Sequence, residues 1–502
     1  MSMTVQEYLD RHKLSLRIEE AVNAAVRAKT DEPVAFIARH LQRLAPSTIL
    51  SVKGRMVLDA RGEPTLEAEV CSHRGKFRAS VPTGVTSGIY EAVEVRDGEE
   101  GVYFGKGLQR AVANVNQAIA AAVVGRDPRE QGEMDRLMAA ELDQTDNKGE
   151  LGANAILAVS LAVCRAGAAE GEVPVHEYIA SLAAVPHPSL PVPEFALLSG
   201  VLTPPSAASP PFHSLSVLPV GATTFSEAVR IGAEVQHCLQ AIAAERFGAA
   251  AALTTDDGSL GLPLGSIREG LQLLTSAVAK AGHADKVKIS IHAALGGCVT
   301  DEGHYDLGMQ QQRQLDGSAD ISMTSASTGS SLEQLTVQQL IDVYQQLCSE
   351  FPIVSIEDPF DQEDFDATQA LCEAGFTQVV GNDLLVSNAK RLAQAIERRT
   401  CNGIAIKLPL IGTLSEALEV AKAARAAGWT VVAAGGLGQQ GDTEDCLLAD
   451  VAVGMGAQRI KAGGVCRGER CAKYNQLLRI EEELGNKATY AATLSNVMPP
   501  SK

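Results

Sequence analysis

The sequence predicts an α/β protein: a helical hairpin over residues 1–48, a small α+β domain over 49–185, and a TIM-like βα barrel over 186–502. Three observations predict it. From about residue 190, short apolar runs alternate with helical patterns: SLSVLPVG, KVKISIHA, PIVSIED, TQVVGND, GIAIKLP, WTVVAAGG and QRIKAG. Such alternation calls for parallel strands joined by crossover helices, and this many units favours a closed barrel over an open sheet. Between about 50 and 90, GRMVLDARGEPTLEAEVCSHRGKFRASVP alternates in strand fashion and breaks at ARGEP and HRG, which reads as a three-stranded meander. Ahead of it, Leu14, Ile18, Ala21, Val22, Ala25 and Val26 recur at helical spacing. After a TDEP break, Val34, Ile37, Leu41 and Leu44 do the same.

Two short amphipathic helices cannot bury a core alone, so the hairpin is expected to pair with a second copy or another chain. Its docking face is assigned to Leu14, Ile18, Val22, Val26, Ile37 and Leu41. Behind the meander, GANAILAVSLAVCRAGAA (152–169) is the most helical stretch, with small residues that permit close packing. Two polar stretches, 203–211 (TPPSAASPP) and 308–331, read as flexible loops within the barrel. A chain of 502 residues at 45% hydrophobic can bury several such units.

A formal net charge of −18 argues against nucleic acid and anionic membranes as partners. Ten cysteines at irregular spacings, with no C-x-x-C, read as reduced thiols of a cytoplasmic protein. The start, MSMTVQEYLDRH, has neither the basic residues nor the apolar core of a signal peptide, and no segment approaches the roughly 20 apolar residues of a membrane span.

A barrel places its chemistry at the C-terminal ends of its strands, which here carry His292, Glu357, Asn382, Lys407, Gly435 and Lys461. The stretches DARGEPTLEAEV, VPTGVTSGIYEAVEVRDG, GANAILAVSLAVCRAGAAE, VSIEDPFDQEDF and CRGERCAKYNQLLRIEEELG, collinear from about 52 to 490, resemble those of the enolase (phosphopyruvate hydratase) family. The resemblance implies an enolase-like α+β domain and barrel, and a reaction in which a lysine takes a proton next to a carboxylate while two Mg²⁺ ions neutralise the dianion. Carried onto this chain, the three metal carboxylates fall on His292, Glu357 and Asn382, and the metal-loop serine on Thr86. Imidazole and amide are poorer partners for hard Mg²⁺. The catalytic lysine falls on Lys407 and the second lysine on Lys461. The general-acid glutamate falls on Asp257, one carbon shorter, and a second acidic partner on Ser214. The substrate-loop histidine has no counterpart in TPPSAASPP. The phosphate loop aligns with AGGLGQQGDTED, so that Gly435, Gly436 and Leu437 stand where the family has its phosphate-binding residues; the arginine falls on Gly436, or on Gln439 counted back from D-T-E-D.

Gly436 to Gly441 also spell G-x-G-x-x-G. A dinucleotide fingerprint needs an opening βαβ unit and a well-placed acid about 20 residues on, and this stretch offers neither. Lys407 and Lys461 read as structural cations paired with Glu357 and Asp383, and His292 as a filler or hydrogen-bonded histidine. A sharper possibility is a site for a softer ion such as Zn²⁺ or Mn²⁺ on His292, Glu357 and Asp383. His213 is the weaker candidate, beside a flexible loop.

The N-terminal hairpin, EYLDRHKLSLRIEEAVNAAVRAKTDEPVAFIARHL, resembles the RIIα-type dimerisation/docking module of protein kinase A regulatory subunits. That resemblance implies a homodimer whose groove receives a partner's amphipathic helix. The expected function is an enolase-like pseudoenzyme, with Lys407, Lys461 and Asp257 as remnants and no cofactor. It would act as a structural or scaffold subunit in the cytoplasm, by analogy in a ciliary or flagellar axoneme or the cytoskeleton. The alternative is an active Mg²⁺-dependent phosphopyruvate hydratase of glycolysis, or a remodelled metal-dependent lyase.

Overall fold

The computed structural model describes residues 4–83, 88–200, 212–307, 334–436 and 441–491. Thr86, Leu437, Gln439 and the two polar stretches at 203–211 and 308–331 therefore lie outside the described residues.

The chain opens with three helices where the hydrophobic pattern predicted a hairpin of two. Helix α1 (Val5–His12) is started by a capping box, Thr4 with Glu7, and stopped by Lys13 in the left-handed conformation at φ 49°. Helix α2 (Leu14–Ala28) follows at once, and α3 (Pro33–Arg43) begins with proline in its first turn. Ala21 and Ala25 are buried and Leu14, Ile37 and Leu41 are partly buried, whereas Ile18, Val22 and Val26 are exposed. The residues assigned to docking thus divide between the packing of the helices on one another and an open stripe at i, i+4 and i+8.

Strands β1 (Ile49–Leu58), β2 (Pro64–Ser72) and β3 (Gly75–Ser80) form the expected antiparallel meander in the order β1-β2-β3. The helix Ala153–Glu170 packs on β2 and β3. By length and composition it is the one described helix apolar enough to cross a membrane, but 89% of it is buried inside the protein as a core helix.

The barrel is built from β4 (Val192–Ser199), β5 (Ser214–Leu218), β7 (Lys288–His292), β10 (Ile353–Glu357), β11 (Gln378–Gly381), β12 (Gly403–Ile406), β13 (Thr430–Ala434) and β14 (Arg459–Gly463). Pairing of β14 with β4 closes it. Short strands β6 (Leu260–Gly261), beside β4, and β8 (Tyr305–Asp306) paired with β9 (Gln334–Leu335), decorate it. The all-parallel expectation is corrected at one place: β5 runs antiparallel to both β4 and β7. Antiparallel neighbours need no crossover helix between them, whereas parallel neighbours do. Strand β4 itself went unread because PVPEFALLS is broken by two prolines, which count against a strand on propensity alone.

The segment after β13 locks the barrel to the α+β domain. Asp442 accepts Lys473 Nζ at 2.8 Å and Arg470 Nη1 at 3.0 Å, all three side chains being buried, while its backbone carbonyl accepts the Ala60 amide at 2.9 Å. Asp445 takes both guanidinium nitrogens of Arg165 at 2.8 Å each. A Cβ on Gly441 would lie 2.0 Å from Asp59 Oδ2 and 2.2 Å from Thr83 Oγ1, so only glycine lets this backbone pass. Removing the shared carboxylate in Asp442→Ala strands two buried cations, and urea unfolding is expected to show a loss of about 3–5 kcal/mol.

Candidate active site at the barrel mouth

Strand alternation points every second side chain into the barrel, and at the C-terminal ends these inward positions converge. His292 ends β7 and Glu357 ends β10, in register with each other. Asn382, Lys407 and Gly435 immediately follow β11, β12 and β13, and Lys461 lies within β14. The strand ends therefore bring together the residues that the motif alignment placed there.

Glu357 and Lys461 form a buried ion pair, Nζ to Oε2 at 2.8 Å. Burial alone would raise the Glu357 carboxyl; His292 and the Lys461 ammonium overcome it and hold it down to about 2. Where the imidazole is neutral, the ammonium supplies this field. For Lys461, burial disfavours the charge, but Glu357 more than compensates and its pKa is raised. Among the described residues Lys407 has no carboxylate within ion-pair distance; its backbone amide donates to Ser387 Oγ at 2.9 Å. The expected pairing of both lysines is thus met only at Lys461.

His292 lies with Nε2 at 3.5 Å from Glu357 Oε1 and 3.4 Å from Asp358 Oδ2, yet neither ring nitrogen has a hydrogen-bond partner. The hydrogen-bonded reading of His292 is not met: it is a buried imidazole with both nitrogens unanswered. Burial is the main force pushing its pKa down to about 4, against the pull of Glu357. His213 is no bystander to the loop, since its ring lies 4.5 Å from that of His292 at an interplanar angle of 48°. Burial and then His292 depress it to about 3.

The softer-ion set is also corrected. Among the described residues, the groups that lie close enough to share an ion are His292, Asp358 and Asp383, with ligand atoms within 4.8 Å of one another, rather than His292, Glu357 and Asp383. Glu357 is occupied by Lys461, and its neighbour takes the place. Asp358 sits at φ 45°, a left-handed backbone, and its carboxylate accepts the amides of Asn382 and Asp383 at 2.9 to 3.0 Å. Burial, reinforced by Glu357, pushes its pKa up to about 6 despite those amides. Asp383 is raised as well, by burial and then Asp358. Strand alternation gave no sign of Asp358; a D after the E of a strand end reads as pointing outward.

Asp257 is held by Thr255 Oγ1 at 2.7 Å and the Ser259 amide at 3.0 Å, both on Oδ1, with Oδ2 unanswered. Buried unpartnered atoms recur on Ser214 Oγ, Asn382 Oδ1 and His213 Nδ1. A buried polar atom without a partner costs about 1–3 kcal/mol, so these atoms together call for a polar partner. Mg²⁺ suits them poorly: the carboxylate Glu357 is already paired with Lys461, and the other two aligned positions offer an imidazole and an amide. On the phosphate side, Gly435 and Gly436 present no side chain, and the Gly436 carbonyl accepts from Arg470.

Comparison with known proteins fits this architecture. Residues 49–179 match the model described as "Enolase, N-terminal domain", and 187–497 match "Enolase, C-terminal TIM barrel domain". "Cytosolic enolase 3" of Arabidopsis thaliana is 46% identical over 492 residues, covering 97% of this chain and 98% of its own. "Enolase" of Solanum lycopersicum is 44% identical over 453 residues, 89% of this chain and 97% of its own, and "Enolase" of Eimeria tenella is 44% identical over 88% and 97%. The wider coverage of the Arabidopsis match extends it into the N-terminal helices, ahead of the residue-49 start of the matched domain. Taken by name, these relatives favour the hydratase alternative over the scaffold reading.

The two histidines give the site a signature in acid. Each has a folded pKa below its ordinary 6.5, so its contribution is whole above 6.5 and is lost as the pH falls through 4 for His292 and 3 for His213. Asp358, raised above 3.8, acts in the opposite sense between 6 and 3.8 and masks this in the whole protein. Comparing wild type with His213→Gln cancels the aspartate: the stability of wild type relative to the variant is expected to decline steadily below pH 6.5 in metal-free denaturation curves.

Proposed function

The chain belongs to the enolase family, and within it we propose that its barrel mouth no longer performs the Mg²⁺-dependent hydratase reaction and that the protein serves as a structural or scaffold subunit. The observation that supports this best is the chemistry at the three aligned metal positions: His292 and Asn382 offer an imidazole and an amide, which leaves Glu357 as the one carboxylate among them. Proton removal next to a carboxylate requires the developing negative charge to be stabilised, and losing such stabilisation costs orders of magnitude in rate. Asp257 is tethered to its own turn through Oδ1, and no arginine stands at Gly436 to grip a phosphate.

The second reading is an active phosphopyruvate hydratase. It is favoured by the names and the 44–46% identity of the relatives, and by retention of Lys407, Lys461 and Glu357. One assay separates the two. Purified full-length protein with 2-phosphoglycerate and millimolar Mg²⁺ is expected to form no phosphoenolpyruvate above the buffer rate; turnover of about one per second or more, the range of ordinary enzymes, would overturn the scaffold reading.

The scaffold role would be exercised through α1–α3, whose stripe of Ile18, Val22 and Val26, with Val5 and Val34, is left open to solvent. We assign to it a second copy of the chain, the pair offering a groove for an amphipathic helix. Cytoplasmic placement follows the printed name of the Arabidopsis relative. An axonemal or cytoskeletal setting has only the resemblance of these helices behind it. In sedimentation of the full chain, Val22→Glu with Val26→Glu is expected to lower the assembly mass at micromolar concentration. An unchanged mass would place the self-contact elsewhere.

A further inference from the structure

We propose that His292, Asp358 and Asp383 form a site for a zinc-class divalent transition ion, on a ligand set different from the one the family alignment implies for Mg²⁺. The ligand atoms of these three residues lie within 4.8 Å of one another. His292 Nε2 and Asp358 Oδ2 are 3.4 Å apart, and two donors bound at about 2.0–2.1 Å to one tetrahedral ion are separated by about 3.3–3.4 Å. The independent observation is His292 itself: it is 6% exposed, and neither ring nitrogen has a hydrogen-bond partner although carboxylate oxygens of Glu357 and Asp358 stand 3.4 to 3.5 Å from Nε2. A divalent ion between them would supply the partner that the ring nitrogen lacks. Asn382 Oδ1, on the residue before Asp383, is likewise buried and without a partner.

The chemistry of the set selects the ion. One imidazole and two carboxylates suit Zn²⁺, Co²⁺ or Mn²⁺, whereas Mg²⁺ prefers oxygens alone and near-octahedral geometry. Two carboxylates balance the charge of one divalent ion, Glu357 being already answered by Lys461. The amides of Asn382 and Asp383 orient the Asp358 carboxylate, that of Asp383 reaching both oxygens, as outer-shell donors do for metal-binding carboxylates. The competing arrangement has no ion at all, with the Lys407 ammonium supplying the positive field that Asp383 feels.

The proposal rests on the reading that Mg²⁺ is not the ion of this site, and its test does not use turnover. Full-length protein stripped with EDTA is titrated with Co²⁺ and followed in the visible. One equivalent is expected to develop ligand-field bands without the near-ultraviolet thiolate charge-transfer band that cysteine would give. Zn²⁺ is expected to displace it stoichiometrically and millimolar Mg²⁺ to leave it in place. Asp383→Asn, nearly isosteric, is expected to weaken binding by at least about tenfold, and His292→Gln to abolish the bands. Absence of bands in wild type, a thiolate band, displacement by Mg²⁺, or unchanged affinity in folded Asp383→Asn would each overturn the site. Hydratase turnover with Mg²⁺ would instead overturn the scaffold reading and is scored in its own assay.

Discussion

The barrel mouth is organised by one buried ion pair. Glu357 at the end of β10 and Lys461 in β14 come from strands far apart in the barrel and meet at 2.8 Å in its interior. A lone charge there would cost several kcal/mol, so each of these residues holds the other: loss of either partner leaves the survivor buried and uncompensated, at about 3–5 kcal/mol. No comparable tie restrains the neighbouring positions, where His292 and Asn382 stand, because a neutral imidazole or amide carries no such debt. Within this fold Glu357 and Lys461 therefore stand or fall together.

The same reasoning separates the halves of the AGGLGQQGDTED segment. Its acidic end is held by the fold: Asp442 answers Arg470 and Lys473, Asp445 answers Arg165, and Gly441 passes between Asp59 and Thr83. At its glycine-rich beginning Gly435 and Gly436 present only backbone, and the Gly436 carbonyl accepts from Arg470. The G-x-G-x-x-G spelling thus ends on a glycine that the packing against Asp59 and Thr83 accounts for. Nothing in it requires a nucleotide.

Much of the fold was legible in the sequence because it rests on periodicity. The alternating strands of the meander and the repeating units from β7 onward follow directly from apolar spacing, and the motif frame located His292, Glu357, Asn382, Lys407 and Lys461 on neighbouring strand ends. What escaped was what periodicity does not encode. The antiparallel direction of β5 leaves no mark in its own apolar run, α1 depends on a four-residue capping box rather than on a long apolar stripe, and β4 is masked by its prolines. The contact of His213 with His292 is fixed by pairing of β5 against β7, where Ser214 faces His292 in register.

Asp358 is the deepest of these omissions, and its cause is local. Along a regular strand the residue after an inward Glu357 points away from the barrel axis. A left-handed backbone at φ 45° turns the chain at that residue and brings its carboxylate back over the mouth. For a non-glycine residue that conformation costs about 1–2 kcal/mol, and aspartate is among the few that tolerate it because its side chain bonds nearby backbone. Here the compensation comes from another strand end, the amides of Asn382 and Asp383. The turn after β10 and the turn after β11 are thus made mutually dependent by one carboxylate. The Asn382 amide holds Oδ1 and the Asp383 amide reaches both oxygens, so that backbone donors fix Oδ2 at 3.4 Å from His292 Nε2.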